Sequence, residues 1–477
     1  MLVSPLHVSV CIKEKNFTLP ILTFGKHILR KTLKNPVEIL IFSRGSSFRL
    51  NLANEPASRD GKWKPDSWKS KNISPTLSYG KEGELSSEIE SLEKFSPLVF
   101  AGEVRSMHEQ LARVCYGGGF LLMGGDNAGV KEELKVDHIR DTFRVILQMA
   151  LVLTFGSAMP IIKIGHMAGQ FNSEILAKGP DNNSFDMVKA YHQSAQTYNI
   201  LRAFSTGGYA DISRLQAWNL DFVEQTEEGS RYRKFASKVD ESLRFMKAIG
   251  VDTSEDVFTR TEFFTAHECI LLPYDQALTR VDSTTGKHYD CSAHMLWVGE
   301  DMRELDGAHL EFVSGISNPL GVEISDKCTP DELIRICDTM NPGNTPGKLT
   351  IIIRMDGDKS RKNLPGLIRA VQREGKSVLW VSDPQKNARD FDNIRSALRA
   401  FFDVHDEMGS HPGGVKLQMT GEDVAECAGG VNAVPDDTNS NQNDTICTPR
   451  LNSAQSIEIA FLIAERMRLK TGLPSLG

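Results

Sequence analysis

Short apolar runs recur along the chain at 119–126, 160–165, 262–268, 294–300, 320–325, 348–355, 377–383 and 415–422. They are rich in Ile, Val and Leu, with no strict alternation. That is the pattern of parallel strands covered on both faces. Segments with one apolar and one polar face lie between several of them, at 331–340, 364–374 and 391–408. Strand followed by helix, repeated eight times, predicts an α/β protein built as a closed (β/α)8 barrel. The gap between the second and third runs is mostly helical in pattern, at 186–206, 211–225 and 231–249, and predicts an insertion packed on the barrel.

Outside the repeat, a helical period runs over 85–115, and 453–469 reads as a closing helix. The apolar stretch 145–162 holds Gln148, Gly156 and Pro160. It fits a helix leading into a buried strand better than a membrane span. Residues 1–60 show no clean period, 55–80 reads as an arm rich in Pro, Ser and Lys, and 431–444 as a mobile loop rich in Asn and Asp.

Composition narrows the class without naming it. The chain has 477 residues, 40% apolar and 25% charged, with a net charge of −7. This suits a large barrel and gives no sign of nucleic acid or membrane as partner. The eight cysteines form no C-x-x-C pair, so reduced thiols in a cytoplasmic protein are the expectation. Residues 1–80 carry 13 Lys/Arg against 5 Asp/Glu. That stretch fits an organelle-targeting extension or a solvated tail.

Active sites of such barrels lie at the carboxyl ends of the strands. Those ends hold Asp126, Lys163, His166, His267, Glu268, Glu300, Asp301, Glu323, Arg354, Asp383 and Glu422. The ring is acidic, with Lys163 and Arg354 as its cations and Arg303 nearby. Crowded carboxylates raise one another's pKa or collect a cation, and they suit anionic substrates poorly. Several other motifs have structural readings. Gly124-Gly125-Asp126 fits a tight turn, His411-Pro-Gly-Gly414 a turn before the last strand, and Gly207-Gly208 a helix stop. His294 and His309 fit satisfied core histidines.

Ten blocks appear in a fixed order: Trp63-Lys-Pro-Asp-Ser-Trp-Lys-Ser-Lys71, Leu121-Leu-Met-Gly-Gly-Asp126, His138-Ile-Arg-Asp-Thr-Phe-Arg144, Met167-Ala-Gly-Gln-Phe171, Thr206-Gly-Gly-Tyr-Ala-Asp211, Asp290-Cys-Ser-Ala-His294, Leu305-Asp-Gly-Ala-His309, His411-Pro-Gly-Gly414, Thr420-Gly-Glu-Asp423 and Pro449-Arg-Leu-Asn452. They resemble the class II 3-deoxy-D-arabino-heptulosonate 7-phosphate (DAHP) synthases, from about Trp63 to the last helix. The resemblance implies a family barrel over 61–477 and an N-terminal extension, 1–60, outside it. It also implies condensation of phosphoenolpyruvate with erythrose 4-phosphate at the entry to the shikimate route to aromatic compounds. A divalent metal such as manganese and a homo-oligomer, or a hetero-oligomer with an active family member, are further expectations.

The resemblance places catalytic roles on Lys163, Glu300 and Arg354, and substrate binding on Arg354, Lys163 and His166. Of the family's metal ligands it retains Glu422. Asn127 stands at the Cys position and Thr448 at the Asp position, and the His is lost where Asp383-Pro384 runs into Gln385-Lys386-Asn387. The clamp has changed too. His166, Asp301 and Glu323 stand where the family keeps Arg, Arg and Lys. An Arg-bearing loop is replaced by 173–175, and the loop after it is deleted. A lost charged contact costs ~2–5 kcal/mol when its partner stays buried. The expectation is a metal site that is weak or absent and a copy that is impaired or repurposed, serving specialised aromatic metabolism. The alternative is a non-catalytic relative acting as a binding or regulatory partner.

Overall fold

The computed structural model describes residues 9–14, 17–18, 38–43, 46–51, 63–73, 82–126, 135–169, 186–218, 226–385, 390–430 and 449–471. The chain divides into two compact units, Met1–Gly61 and Lys62–Gly477. The first holds an antiparallel sheet of β1 (Ser9–Glu14), β2 (Phe17–Thr18), β3 (Glu38–Ser43) and β4 (Ser46–Asn51), in the order β2-β1-β3-β4. No period was legible there because β3 is apolar almost throughout and β1 mixes its apolar and polar positions.

The second unit is the expected barrel. Its strands are β5 (Phe120–Gly125), β6 (Ile161–His166), β7 (Phe264–Glu268), β10 (Met295–Val298), β11 (Leu320–Ile324), β12 (Leu349–Ile353), β13 (Leu379–Ser382) and β14 (Gly414–Gln418). All neighbours pair in parallel, and β14 closes on β5. Each of the eight apolar runs overlaps one of these strands; six contain theirs, while β6 runs one residue past its run to His166 and β14 begins one residue before its run at Gly414. A small hairpin, β8 (Thr279–Val281) and β9 (His288–Asp290), interrupts the repeat.

The helical stretch 85–115 is two helices, α1 (Glu82–Lys94) and α2 (Ala101–Cys115). Pro97 lies in the break. It lacks an N–H and pushes the residue before it out of the helical region. α2 then closes the amino-terminal end of the barrel. Its Met107, Leu111 and Val114 pack with Leu121, Met123, Ile162, Ile164, Phe264, Met295, Trp297, Ile352, Leu379 and Val381 from the strands. This cluster marks the inner face of six of the strands, because side chains alternate along a strand.

The outer layer follows the expected alternation, with local signals that fix each start. Thr329 and Glu332 form a capping box before α8 (Pro330–Met340). Asp356 and Asp390 cap α9 (Gly357–Arg373) and α10 (Phe391–Glu407) by accepting from backbone N–H groups. Within the insertion, α4 (Met187–Thr206) ends at Gly207 as the sequence predicts, and α5 (Glu227–Ala248) follows. The segment between them is a 3-10 turn over Ile212–Trp218. Two further short helices, α6 (Leu272–Leu278) and α7 (Ala308–Gly315), complete the barrel's flank. The closing helix α11 (Ser453–Thr471) lies on α3 (Val136–Ser157). A Cβ at Gly156 would come within 2.4 Å of the Ala464 Cβ, so this crossing requires glycine. The 431–444 loop lies outside the described residues.

Candidate functional site

The strand alternation decides which charges enter the barrel. Positions 266, 268, 297, 352, 354, 381 and 383 share the inward parity set by the interior cluster, and 323 and 416 face inward because Leu320, Val322 and Ile324 on β11 and Val415 and Leu417 on β14 join the outer core. Glu323, Arg354, Asp383 and Lys416 therefore meet at the carboxyl end. Lys416 Nζ lies 2.9 Å from Glu323 Oε1 and 3.0 Å from Asp383 Oδ2. Arg354 Nη1 donates to Glu323 Oε2 at 2.7 Å, and its Nε lies 3.5 Å from Asp383 Oδ2. Lys416 also sits 4.7 Å above the Trp297 ring.

Charge and burial set the protonation here. Burial pushes the Glu323 carboxyl up, but Lys416 and Arg354 outweigh it and bring the pKa down to about 2. Burial opposes the charge on Lys416, yet Asp383 and Glu323 hold its pKa above the usual lysine value. Glu268, at the end of β7, goes the other way. Burial first, and the nearby Glu323 charge second, push it up to about 7. A Cβ at Gly299 would lie 2.2 Å from Glu268 Oε1, so glycine there leaves room for the carboxyl. Glu300 accepts from Ser325 Oγ at the edge of this cluster.

A second ion-pair network lies where β5 and β14 end. Asp126 Oδ2 is 3.0 Å from His138 Nε2 and 2.9 Å from Arg450 Nη1. Glu422 Oε1 is 3.3 Å from His138 Nδ1. Glu426 accepts from Arg450 Nη2 at 2.6 Å and from the Arg450 backbone N–H at 2.8 Å. Burial opposes both ionised partners, but pairing wins: Asp126 lies below the ordinary aspartate value and His138 above the ordinary histidine value. A close approach fixes the geometry. Gly421 N–H donates to Thr142 Oγ1 at 3.1 Å, and a Cβ on Gly421 would lie 2.2 Å from the Asp141 backbone.

His166 lies between the two networks. Its Nε2 is 2.9 Å from the Leu417 carbonyl, and its ring meets Trp297 edge-on. Burial, with the Lys416 charge next, brings its pKa down to about 4, so it is neutral at pH 7.

Several residues of the expected ring stand elsewhere. Lys163 sits between the inward Ile162 and Ile164, so its side chain takes the outer face. Its Nζ donates to the Ile161 carbonyl at 3.1 Å, and burial brings its pKa down to about 8. His267 also faces outward and lies 3.1 Å from Asp275 Oδ1. Arg303 is tied to Glu332 on α8, and Asp301 is exposed. His294 and His309 are core histidines, facing Thr265 and the Ile270 carbonyl. Lys163→Gln is thus expected to leave the chain's response to added phosphate unchanged, in a calorimetric titration. Lys416, Arg450 and His138 were absent from the expected ring. The signal for Lys416 was a lysine inside a strand-like run, which has to find a partner when buried.

Asp126 and Glu422 already face His138 and Arg450. Gln385, in the segment following β13, donates to the Gln418 and Pro449 carbonyls and accepts from the Gln418 N–H. Among the described residues, no group of three or more His, Cys, Asp and Glu side chains is arranged to hold a metal. Asn127 and Thr448 lie outside the described residues, as do Lys386, Asn387 and 173–175.

The blocks and the barrel agree with sequence comparison. The chain matches the profile of the Class-II DAHP synthetase family over residues 63–175 and 172–464. It belongs to that family. A phospho-2-dehydro-3-deoxyheptonate aldolase of Streptomyces coelicolor is 39% identical over 438 residues, covering 84% of this chain and 97% of the relative. A probable chloroplastic phospho-2-dehydro-3-deoxyheptonate aldolase of Catharanthus roseus is 42% identical over 440 residues, covering 88% and 85%. One from Mycolicibacterium smegmatis is 37% identical over 414 residues, covering 79% and 89%. No helix among the described residues is long and apolar enough to cross a membrane.

Proposed function

We propose that this class II family member descends from synthases that condense phosphoenolpyruvate with erythrose 4-phosphate, and that its own capacity for that reaction is impaired or turned to other aromatic chemistry. The observation that carries this reading is the pairing of Arg354. It is the clamp cation retained at the inner mouth, and Glu323 and Asp383 engage it from within the chain. Condensation of two phosphorylated substrates needs uncommitted cations for the acid groups. In the family reaction a divalent metal supplies Lewis-acid polarisation of the aldehyde. Here Glu422 would be the ligand retained for it, and His138 and Arg450 occupy its neighbourhood.

Within this reading, Arg354 is held by Glu323 and Asp383 rather than by an acidic group of a ligand. Glu268 is a further carboxyl near it. A carboxyl titrating near neutrality, as Glu268 does, is suited to move a proton at pH 7. The test is phosphate release from phosphoenolpyruvate in the presence of erythrose 4-phosphate and manganese, run on the purified full chain. The expected rate is at least a hundredfold below that of the Streptomyces coelicolor relative under the same conditions, since each lost electrostatic contact costs about a hundredfold or more. A rate within tenfold of the relative rejects the reading.

A further inference from the structure

Two cations from different strands point at one carboxylate. Lys416 on β14 approaches Glu323 Oε1 at 2.9 Å, and Arg354 beyond β12 approaches Oε2 at 2.7 Å. One oxygen per cation is how proteins hold a bound carboxylate or phosphate. The anion here belongs to the chain itself. Glu323 sits on β11, a strand paired on both sides, and it is 2% exposed. Asp383 stands behind it on the same lysine at 3.0 Å. Two positive charges and two negative charges therefore balance within the cluster.

We propose that Glu323 is the specificity-determining residue of the barrel mouth. Its carboxylate fills the seat that a ligand's acid group would take between Arg354 and Lys416. The mouth consequently admits a ligand whose buried end is uncharged, such as an aldehyde or alcohol, and rejects a carboxylate or phosphate there. This rests on the reading above that the ligand binds at the carboxyl end of the barrel.

First, a fixed intramolecular carboxylate competes with any dissolved anion at a high effective concentration. It is already ordered, so it gives up no translational freedom to stay bound. Second, the cluster is balanced. A dianion entering without displacing Glu323 would bring charge into a buried site that has no spare cation. A purely structural ion-pair lattice would explain the same distances. It differs in what happens when the carboxylate is removed: a latent anion seat refills from solution, whereas a lattice simply loses a member.

The experiment compares the full-length chain with Glu323→Ala and Glu323→Gln. Acetate, inorganic phosphate and phosphoenolpyruvate are added separately at constant ionic strength, with chloride as the reference. Melting temperature and calorimetric affinity are read. The wild type is expected to respond to these anions no more than to chloride. Glu323→Ala is expected to melt lower and to recover saturably with acetate or phosphate. It should bind phosphoenolpyruvate at least tenfold more tightly than the wild type, and Arg354→Met in that background should remove the gain.

If Glu323→Ala does not fold, Glu323→Gln keeps the side-chain volume and is judged by the same tenfold criterion. A folded variant whose anion response equals that of the wild type overturns the proposal. So does tight phosphoenolpyruvate binding by the wild type that Glu323→Gln leaves unchanged. Turnover of both family substrates by the wild type would reject the impaired-reaction reading by a separate readout. The affinity comparison would still decide on Glu323.

Discussion

Lys416→Met lowers the melting temperature by ~5–10 °C, the largest stability loss expected at the barrel mouth. Lys416 is 3% exposed and is the shared partner of Glu323 and Asp383. Removing it leaves two buried carboxylates beside each other with Arg354 alone to compensate. Breaking a buried ion pair from one side costs ~3–5 kcal/mol, because the remaining charge stays desolvated. At roughly 2 °C per kcal/mol for a large domain, this gives the stated shift. The methionine keeps most of the packing over Trp297, so the loss reports charge rather than volume. Adding Glu323→Gln to Lys416→Met removes one of the stranded charges and should restore part of the loss. Differential scanning calorimetry of the single and double variants checks this. A single-variant shift below ~2 °C would show that the cluster is hydrated and loosely held.

Acid weakens the fold well before the carboxylates as a class begin to titrate. His166, His294 and His405 are buried as neutral rings. Burial lowers their pKa values from 6.5 to about 4, about 3 and about 3, respectively. A depressed folded-state pKa means that the unfolded chain binds the proton first. The stability from these groups is complete above 6.5 and is lost as pH falls through the window down to 4 and 3. Each contributes a slope of ~1.4 kcal/mol per pH unit inside that window. Together they remove roughly 6 kcal/mol between neutrality and about pH 5. His138 and Glu268 work in the opposite direction: Asp126 and Glu422 raise His138 despite its burial, burial and then the Glu323 charge raise Glu268 to about 7, and both offset part of the loss. Urea denaturation midpoints at the two pH values measure the effect. His405→Phe should flatten the dependence, since Phe401 and Trp380 already surround that ring. A midpoint that does not move between neutrality and about pH 5 would contradict the buried neutral state.

The barrel was legible because parallel strands leave continuous apolar runs, and each run overlaps its strand. Its charged mouth was legible only in part, and the reason is geometric. Parallel strands are apolar on both faces, so Ile162, Lys163 and Ile164 give no clue from pattern alone about which side faces in. Register against α2 and the neighbouring strands decides it, and it turns Lys163 outward. The same parity turns Lys416 inward, although the sequence shows it only as one lysine in Val-Lys-Leu-Gln-Met. Arg450 meets Asp126 and Glu426 across 324 and 24 residues of chain, separations that no local period can reveal. The α1–α2 break needed only closer attention to Pro97. The family blocks marked the strand ends where the resemblance expects chemistry. They could not show that Glu323 takes up Arg354 and Lys416 together, because that depends on three strands ending at one level.

The cations at the mouth are committed to the chain's own carboxylates, and on that rests the proposed loss or redirection of the family reaction. Rescue of a bacterial strain lacking every DAHP synthase tests it most directly, with the Streptomyces coelicolor relative as the positive control. The account predicts no growth on minimal medium without aromatic amino acids, with soluble, folded full-length protein confirmed in the same cells. Growth at the rate of the control would contradict it and show that the changed mouth still condenses both substrates.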